Sequence, residues 1–215
     1  MDDKEYWKEY YSKNFLPTNP SSFAEFVLEY LDEGNSLIEL GCGNGRDSLF
    51  FYKNNIDVIG VDQVRCEVDF LNENYGDDSL IFLNDDFTNL ENASLENKSI
   101  ISEKEINYIY SRFTFHSINE KKENRTLDWI ENNLNPDGLF LLEARSLKDP
   151  MYQKGKSLSE TENFTDHYRR YMDYNNIINK LAERNFEIIF SVEDKDLAVY
   201  KDDNPYVIRI VAKKI

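Results

Sequence analysis

The sequence predicts an α/β fold: a doubly wound, mostly parallel sheet with helices on both faces. Three observations carry this. Leu37, Ile38 and Leu40 form a short apolar run that leads into Gly41-Cys42-Gly43-Asn44-Gly45, then a helical stretch, then a second strand ending at Asp62. Short apolar runs then recur at Leu80–Leu83, Ile106–Tyr110 and Gly138–Ala144, with helical patterns between them, as parallel strands require. The chain closes with two strands, near Phe186–Val192 and Tyr206–Ala212, joined by a turn.

Taken in order, Asp2 to Lys13 reads as a helix with Tyr6, Trp7, Tyr10 and Tyr11 grouped on it; Trp7 and Tyr11, four apart, share a face. Pro17 and Pro20 break the chain, and Ser21 or Ser22 caps a helix running to about Asp32, with Gly34 at its end. The glycine loop follows the first strand. Its alternating glycines permit a tight turn and leave backbone open to a ligand, whose polar groups meet loop amides at the start of the helix Arg46–Asn55. Strand Asp57–Val61 presents Asp62 about 20 residues after the first glycine, where open α/β sheets grip ribose hydroxyls. Val64–Tyr75 is helical; the third strand closes on Asp85-Asp86-Phe87; Thr88–Glu105 is polar, Asn-rich loop with at most a weak helix. The fourth strand runs into Ser111-Arg112-Phe113-Thr114-Phe115-His116, the fifth into Glu143-Ala144-Arg145, and between them lie a helix from about Glu120 to Leu134 and an Asn135-Pro136-Asp137-Gly138 turn. Residues 145–170 hold six basic residues against four acidic ones and contain His167. A helix from Tyr171 to Asn185 precedes the closing strands.

Composition sets the bounds. The 215 residues suit one α/β domain, and 40% hydrophobic content supplies a core. There is no apolar run of the roughly 18 residues that cross a bilayer, and the charged start MDDKEYWKEY lacks a secretion signal's apolar stretch. Two cysteines form no disulfide framework and fit a reducing cytoplasm; Cys42 is a small packing residue of the loop. The net charge of −16 argues against DNA or RNA as partner, while leaving room for a small anion in a local basic pocket. No metal site is expected, and no oligomeric state follows from the sequence.

The βαβ unit binds a nucleoside. A dinucleotide fingerprint requires a third glycine at position 46, which is Arg46. The spacing instead is Gly-x-Gly-x-Gly with Glu39 two residues before it, and this resembles motif I of class I S-adenosylmethionine (SAM) dependent methyltransferases. That resemblance implies a Rossmann-like seven-stranded sheet, mostly parallel with an antiparallel C-terminal strand, in a single domain spanning 1–215. It implies SAM as cofactor, leaving as S-adenosylhomocysteine, held by Glu39, Gly41, Cys42, Gly43, Gly45, Arg46, Asp62, Gln63, Phe87, Ser111 and either Asp85 or Asp86, with Trp7 and Tyr11 above it. Segment 1–20 is then either an aromatic lid or a stripe packed on the domain. A nicotinamide-type oxidoreductase is the distant alternative, disfavoured by Arg46 and the closing strand pair; a SAM-binding module without catalysis is a third.

The run Tyr110-Ser111-Arg112-Phe113 with His116, then Glu143-Ala144-Arg145, then Asp166-His167-Tyr168-Arg169-Arg170, is similar to a methyltransferase subgroup found in bacterial capsule and O-antigen gene clusters. This implies an O-methyltransferase acting on a phosphate or a phosphorylated or nucleotide-linked precursor of surface polysaccharide; a sugar hydroxyl is the alternative acceptor. Segment 145–170 becomes the substrate-binding insertion. Arg112, Glu143, Arg145, Tyr168, Arg169 and Arg170 are candidate acceptor contacts, because guanidinium forks suit carboxylate and phosphate. His116 and His167 join them as bases or anion contacts, with Arg112 also placed at the reacting centre; either histidine can instead be purely structural.

Overall fold

The computed structural model describes residues 6–9, 16–152 and 154–215. Its centre is a seven-stranded sheet made of β1 (Ser36–Leu40), β2 (Asp57–Asp62), β3 (Leu80–Asn84), β4 (Ile106–Arg112), β5 (Leu139–Arg145), β9 (Phe186–Asp194) and β10 (Val207–Lys214). Their spatial order is β3-β2-β1-β4-β5-β10-β9. Strands β1 to β5 run parallel, and β10 is inserted antiparallel to both β5 and β9. Strand order reverses between β1 and β4, so the loops leaving those two strands open onto one crevice.

Period-two alternation divides the core into two layers. Ile38, Leu40, Ile59, Ile109, Phe140, Leu142, Ile208 and Ile210 face one layer, which contains helices α5 (Glu120–Asn133) and α6 (Tyr174–Ala182) through Leu127, Ile130, Ile177 and Leu181. Leu37, Val58, Phe82, Tyr108, Tyr110, Leu141 and Val211 face the other, against α1 (Ser22–Val27), α2 (Arg46–Lys53) and α3 (Arg65–Tyr75) through Phe23, Val27, Phe51, Val68 and Leu71. Both faces of the central strands are therefore covered, which is why their sequences are almost wholly apolar.

Several boundaries depart from the sequence reading. Ser21 is the cap of α1, its Oγ accepting from Ala24 N–H, and the helix tightens into a 3-10 turn at Leu28–Tyr30 instead of continuing to Asp32. The stretch read as loop at 88–105 contains a 3-10 segment, Phe87–Asn92, and a real helix, α4 (Leu95–Ser102), capped by Ser94. Only Ile101 of α4 is buried, so the segment carries almost no apolar periodicity. The insertion folds into a small three-stranded antiparallel sheet, β6 (Lys156–Ser157), β7 (Glu162–Phe164) and β8 (Tyr168–Arg170). Helix α6 is shorter than expected, beginning after the Asp173 cap. No described helix is long and apolar enough to cross a membrane.

Candidate functional site

The first half of the site is the turn between β1 and α2. Gly41 and Gly45 have φ of +76° and +73°, which L-residues with side chains rarely adopt. A Cβ on Gly41 would overlap the Thr114 methyl and lie 3.2 Å from Thr114 Cβ; one on Gly45 would lie 2.8 Å from Leu71 Cδ2. The loop is thus folded tightly against β4's exit on one side and α3 on the other. Gly41 N–H and Cys42 N–H both donate to Val61 C=O, at 2.8 and 3.0 Å.

Asp62, at the end of β2, accepts from Gly43 N–H (3.0 Å) and Val64 N–H (2.9 Å), one on each carboxylate oxygen. It therefore latches the loop to β2 and still has unused lone pairs. Burial pushes its carboxyl up, and the backbone N–H bonds partly oppose this. Gln63 beside it is half-buried. Glu39 points into the layer that holds α2, where Ser48 Oγ donates to it; burial, and then Asp47, push it well above the usual carboxylate range. Arg46 starts α2, with Nε 3.7 Å from Asp47 Oδ1. Asp47 in turn gathers Ser21 N–H, Ser21 Oγ and Tyr110 OH at 2.7 to 2.9 Å, which pins the helix start against β4.

Beyond β3, the two acids separate. Asp85 accepts from Asp86 N–H and from Asn97 Nδ2, so both of its oxygens are engaged inside the protein. Asp86 caps the 3-10 segment through Oδ1, and its Oδ2 has only Lys122 at 3.7 Å. Phe87 is partly buried, with its ring edge 3.9 Å from where a Gly41 side chain would begin.

The second half is the exit of β4 and β5. The strand runs further than its apolar content indicates, to Arg112, so buried Ser111 and Arg112 are themselves strand residues. Arg112 pairs across the register with Glu143 of β5: Nε lies 2.9 Å from Oε1, at an angle that misses a straight hydrogen bond. The other Glu143 oxygen takes Arg209 Nε at 2.6 Å. Arg209, on β10, is a site-supporting residue that the motif reading passed over. Phe113 has φ of +54° and lies under two guanidinium groups, Arg112 at 4.4 Å and Arg145 at 5.6 Å.

His116 is buried, and its Nδ1 has no hydrogen-bond partner among the described residues. Burial first, then Arg145, His167, Arg169 and Arg112, hold it well below the ordinary histidine range, so the ring is neutral. His167 is held down to about 4 by burial and Arg169. It stacks on Tyr6 at 4.0 Å and meets Trp7 edge-on at 5.5 Å, while Tyr6 OH donates to Asp166. Residues 6–9 thus rest on the insertion; Tyr11, expected beside Trp7, lies outside the described residues. Tyr168 OH donates to Glu162 at 2.6 Å.

The four arginines do not converge as the sequence suggested. Arg170 turns away from the crevice to Glu123 on α5, where Lys180 also bonds Glu123 at 2.7 Å; its expected role as an acceptor contact is corrected to a structural one. The cause is the β8 pleat, which sends neighbouring side chains to opposite faces. Arg145 is paired with Asp149 and Asp203, and Arg169 with Thr165 and Asp166. Arg112 makes no side-chain hydrogen bond with its terminal nitrogens to a described residue. A cleft of about 610 Å³ beside Asp57, Asp77 and Asp78 lies at the opposite, amino-terminal edge of the strands, away from this crevice.

A family model described as a methyltransferase domain matches residues 11–190. Solved structures share the fold. A SAM-dependent methyltransferase from Methanosarcina mazei superposes with a TM-score of 0.72 at 14% identity, over 93% of this chain and 99% of that one. A SAM-dependent methyltransferase from Mesorhizobium loti gives 0.68 at 15%, over 90% and 98%. The 1,6-didemethyltoxoflavin-N1-methyltransferase of Burkholderia thailandensis, with its acceptor and S-adenosylhomocysteine bound, gives 0.65 at 16%, over 89% and 76%. Among curated proteins none matches significantly.

Proposed function

The chain belongs to the SAM-dependent methyltransferases, and on that premise we propose that it methylates an oxygen of a small anionic acceptor held at the exits of β4 and β5. The observation that carries this is the surroundings of His116: a buried neutral ring with an open Nδ1, in the field of Arg145, Arg169 and Arg112. Each of those guanidinium groups lowers its affinity for a proton, so the spot favours an anion over a cation.

The residues fit the cofactor. The glycine turn holds a left-handed backbone at Gly41, Gly43 and Gly45, Asp62 keeps lone pairs for ribose hydroxyls and Asp86 keeps an exposed oxygen beside Phe87 for the adenine amino group. When bound, SAM supplies a methyl group already activated by its sulfonium. What remains for the protein is alignment and exclusion of water. Arg112, with free terminal nitrogens, orients an ionised phosphate or carboxylate, and Arg145 and Arg169 shape the wall in pairs with their acids. His116 accepts a hydrogen bond from the acceptor or takes its proton. His167 with Tyr6 and Trp7 closes the crevice, so segment 1–20 reads as a lid and 145–170 as the acceptor-binding insertion of a single domain. The resemblance stated above extends this to a phosphorylated or nucleotide-linked precursor of surface polysaccharide.

A second reading has its own support. A neutral buried histidine is also what a general base for a sugar hydroxyl needs. Turnover of SAM with matched phosphorylated and unphosphorylated sugars separates the two. The anionic reading expects kcat/KM to favour the phosphorylated member by at least tenfold, and expects Arg112→Ala to erase that preference. Equal turnover of both members, unaffected by that substitution, sinks it.

A further inference from the structure

At the exit of β5 lies another polar group that the motifs did not single out. Tyr171 follows β8 and is 1% exposed, and its hydroxyl has no hydrogen-bond partner among the described residues. Its place is fixed by backbone: Tyr171 N–H donates to Thr161 C=O at 2.8 Å, and Met172 N–H donates to Arg145 C=O at 2.9 Å. Its ring packs edge-on against Tyr152 at 5.4 Å. The charges that act on its hydroxyl are Asp149, Arg169, Arg145 and Asp166, and two of these, Arg145 and Arg169, also act on His116. Strand β8, which Tyr171 follows, packs on the 3-10 turn Phe115–Ser117 that carries His116, so the two unpartnered groups belong to touching segments.

A buried hydroxyl without a partner forfeits the hydrogen bonds it made to water, so its retention needs a compensating role. Folding alone does not require it, because phenylalanine fills the same ring volume. We propose that Tyr171 OH is an acceptor-binding group, donating to an anionic oxygen of the acceptor while His116 Nδ1 accepts from a hydroxyl or protonated oxygen of the same molecule. This rests on the anionic reading above and sharpens it. The acceptor carries an ionised oxygen and a hydrogen-bond donor within one small head group, as a phosphate monoester or a hydroxy acid does. A fully ionised, donor-free anion would leave His116 unmatched. Tyr171 is then a discriminating residue, while Arg112 supplies charge without reading the donor.

The test uses the full chain with S-adenosylhomocysteine, inorganic phosphate as probe, and Tyr171→Phe. Two readouts are taken: the unfolding midpoint without phosphate, and the phosphate dissociation constant from calorimetry. The midpoint of Tyr171→Phe should equal or exceed that of the parent, since an unpaired hydroxyl is removed. Phosphate affinity should fall about tenfold or more, the loss for a hydrogen bond to a charged group, with S-adenosylhomocysteine affinity unchanged. His116→Gln, which keeps an accepting oxygen, should retain more phosphate affinity than His116→Leu. A Tyr171→Phe midpoint several degrees lower overturns the inference, because the hydroxyl is then structural. So does unchanged phosphate affinity in Tyr171→Phe, which leaves the anionic reading standing. If the parent protein binds S-adenosylhomocysteine but no phosphate, both fall together.

Discussion

Gly41→Ala tests the geometry of the cofactor cradle, and its cost can be worked out from two separable causes. The first is conformational: φ at position 41 is +76°, and an L-residue held in the left-handed region costs about 1–2 kcal/mol. The second is steric. The new Cβ overlaps the Thr114 methyl carbon and sits 3.2 Å from Thr114 Cβ, an overpacking of about 1–3 kcal/mol. The sum is about 2–5 kcal/mol, or a fall in midpoint of several degrees for a chain of this length. Thr114→Ser removes the offending methyl and keeps the hydroxyl that bonds Ser111; alone it should cost about 0.8 kcal/mol, the value of one buried methyl. The double variant should therefore be more stable than the two single losses predict, by about 1–3 kcal/mol of coupling, while retaining the backbone strain. Urea unfolding of all four proteins measures the cycle, and calorimetry with S-adenosylhomocysteine reports whether the cradle has reformed. Strict additivity would refute the account, since it means Thr114 does not press on the turn.

Four further outcomes are expected. Asp62→Ala should weaken S-adenosylhomocysteine by about 1.5–3 kcal/mol, because it loses the latch on Gly43 and the proposed ribose contact; calorimetry showing native affinity contradicts the assignment. Arg170→Ala should lower stability by up to about 3–5 kcal/mol, as it strips one partner from buried Glu123, and leave acceptor KM unchanged; Arg112→Ala strips one of the two partners of buried Glu143, so it should also lower the midpoint, and in addition raise acceptor KM; a KM effect in Arg170→Ala and none in Arg112→Ala would exchange their roles. Glu67 is fully buried with neither oxygen partnered among the described residues, and burial, then Asp62, pushes it from 4.5 up to about 7. Since the folded value exceeds the unfolded one, stability should fall as pH rises from about 4.5 to 7, and Glu67→Gln should flatten that slope in urea titrations; an identical slope in the variant removes the group from the account. Trp7→Ala should slow turnover while leaving the fold intact, and unchanged kcat/KM would reduce segment 1–20 to packing.

What the sequence made legible is what is local. An apolar run leading into Gly41, Gly43 and Gly45 specifies strand, turn and helix within a few residues, because glycine spacing and helix capping act over one turn. Asp62 lies where its spacing placed it. What stayed hidden depends on distant partners. Arg145 meets Asp203 and Arg170 meets Glu123, separations of 58 and 47 residues, so of these counter-charges only Asp149, four residues after Arg145, lies near its arginine in the sequence. Arg209 lies inside an apolar strand and gave no motif, yet it neutralises half of Glu143. Tyr171 sits at the edge of an expected helix, where a tyrosine carries no signal. Helix α4 was missed for the opposite reason: its residues are so polar that only capping at Ser94 could have marked it.

The pairing pattern also changes how a chain of net charge −16 can hold an anion. Four unopposed arginines would form a field able to attract one from a distance. Here Arg145 and Arg169 are each neutralised by carboxylates, and Arg170 has left the crevice. At range, the molecule repels an anion. On the proposed reading, an anion at contact meets the end of Arg112, whose own counter-charge Glu143 is shared with Arg209. It also meets two neutral groups, His116 and Tyr171, that act only within hydrogen-bond reach. Recognition in such a site comes from directed, desolvated contacts. A site built this way would discriminate by the shape and protonation of the head group, with charge alone not sufficing to bind.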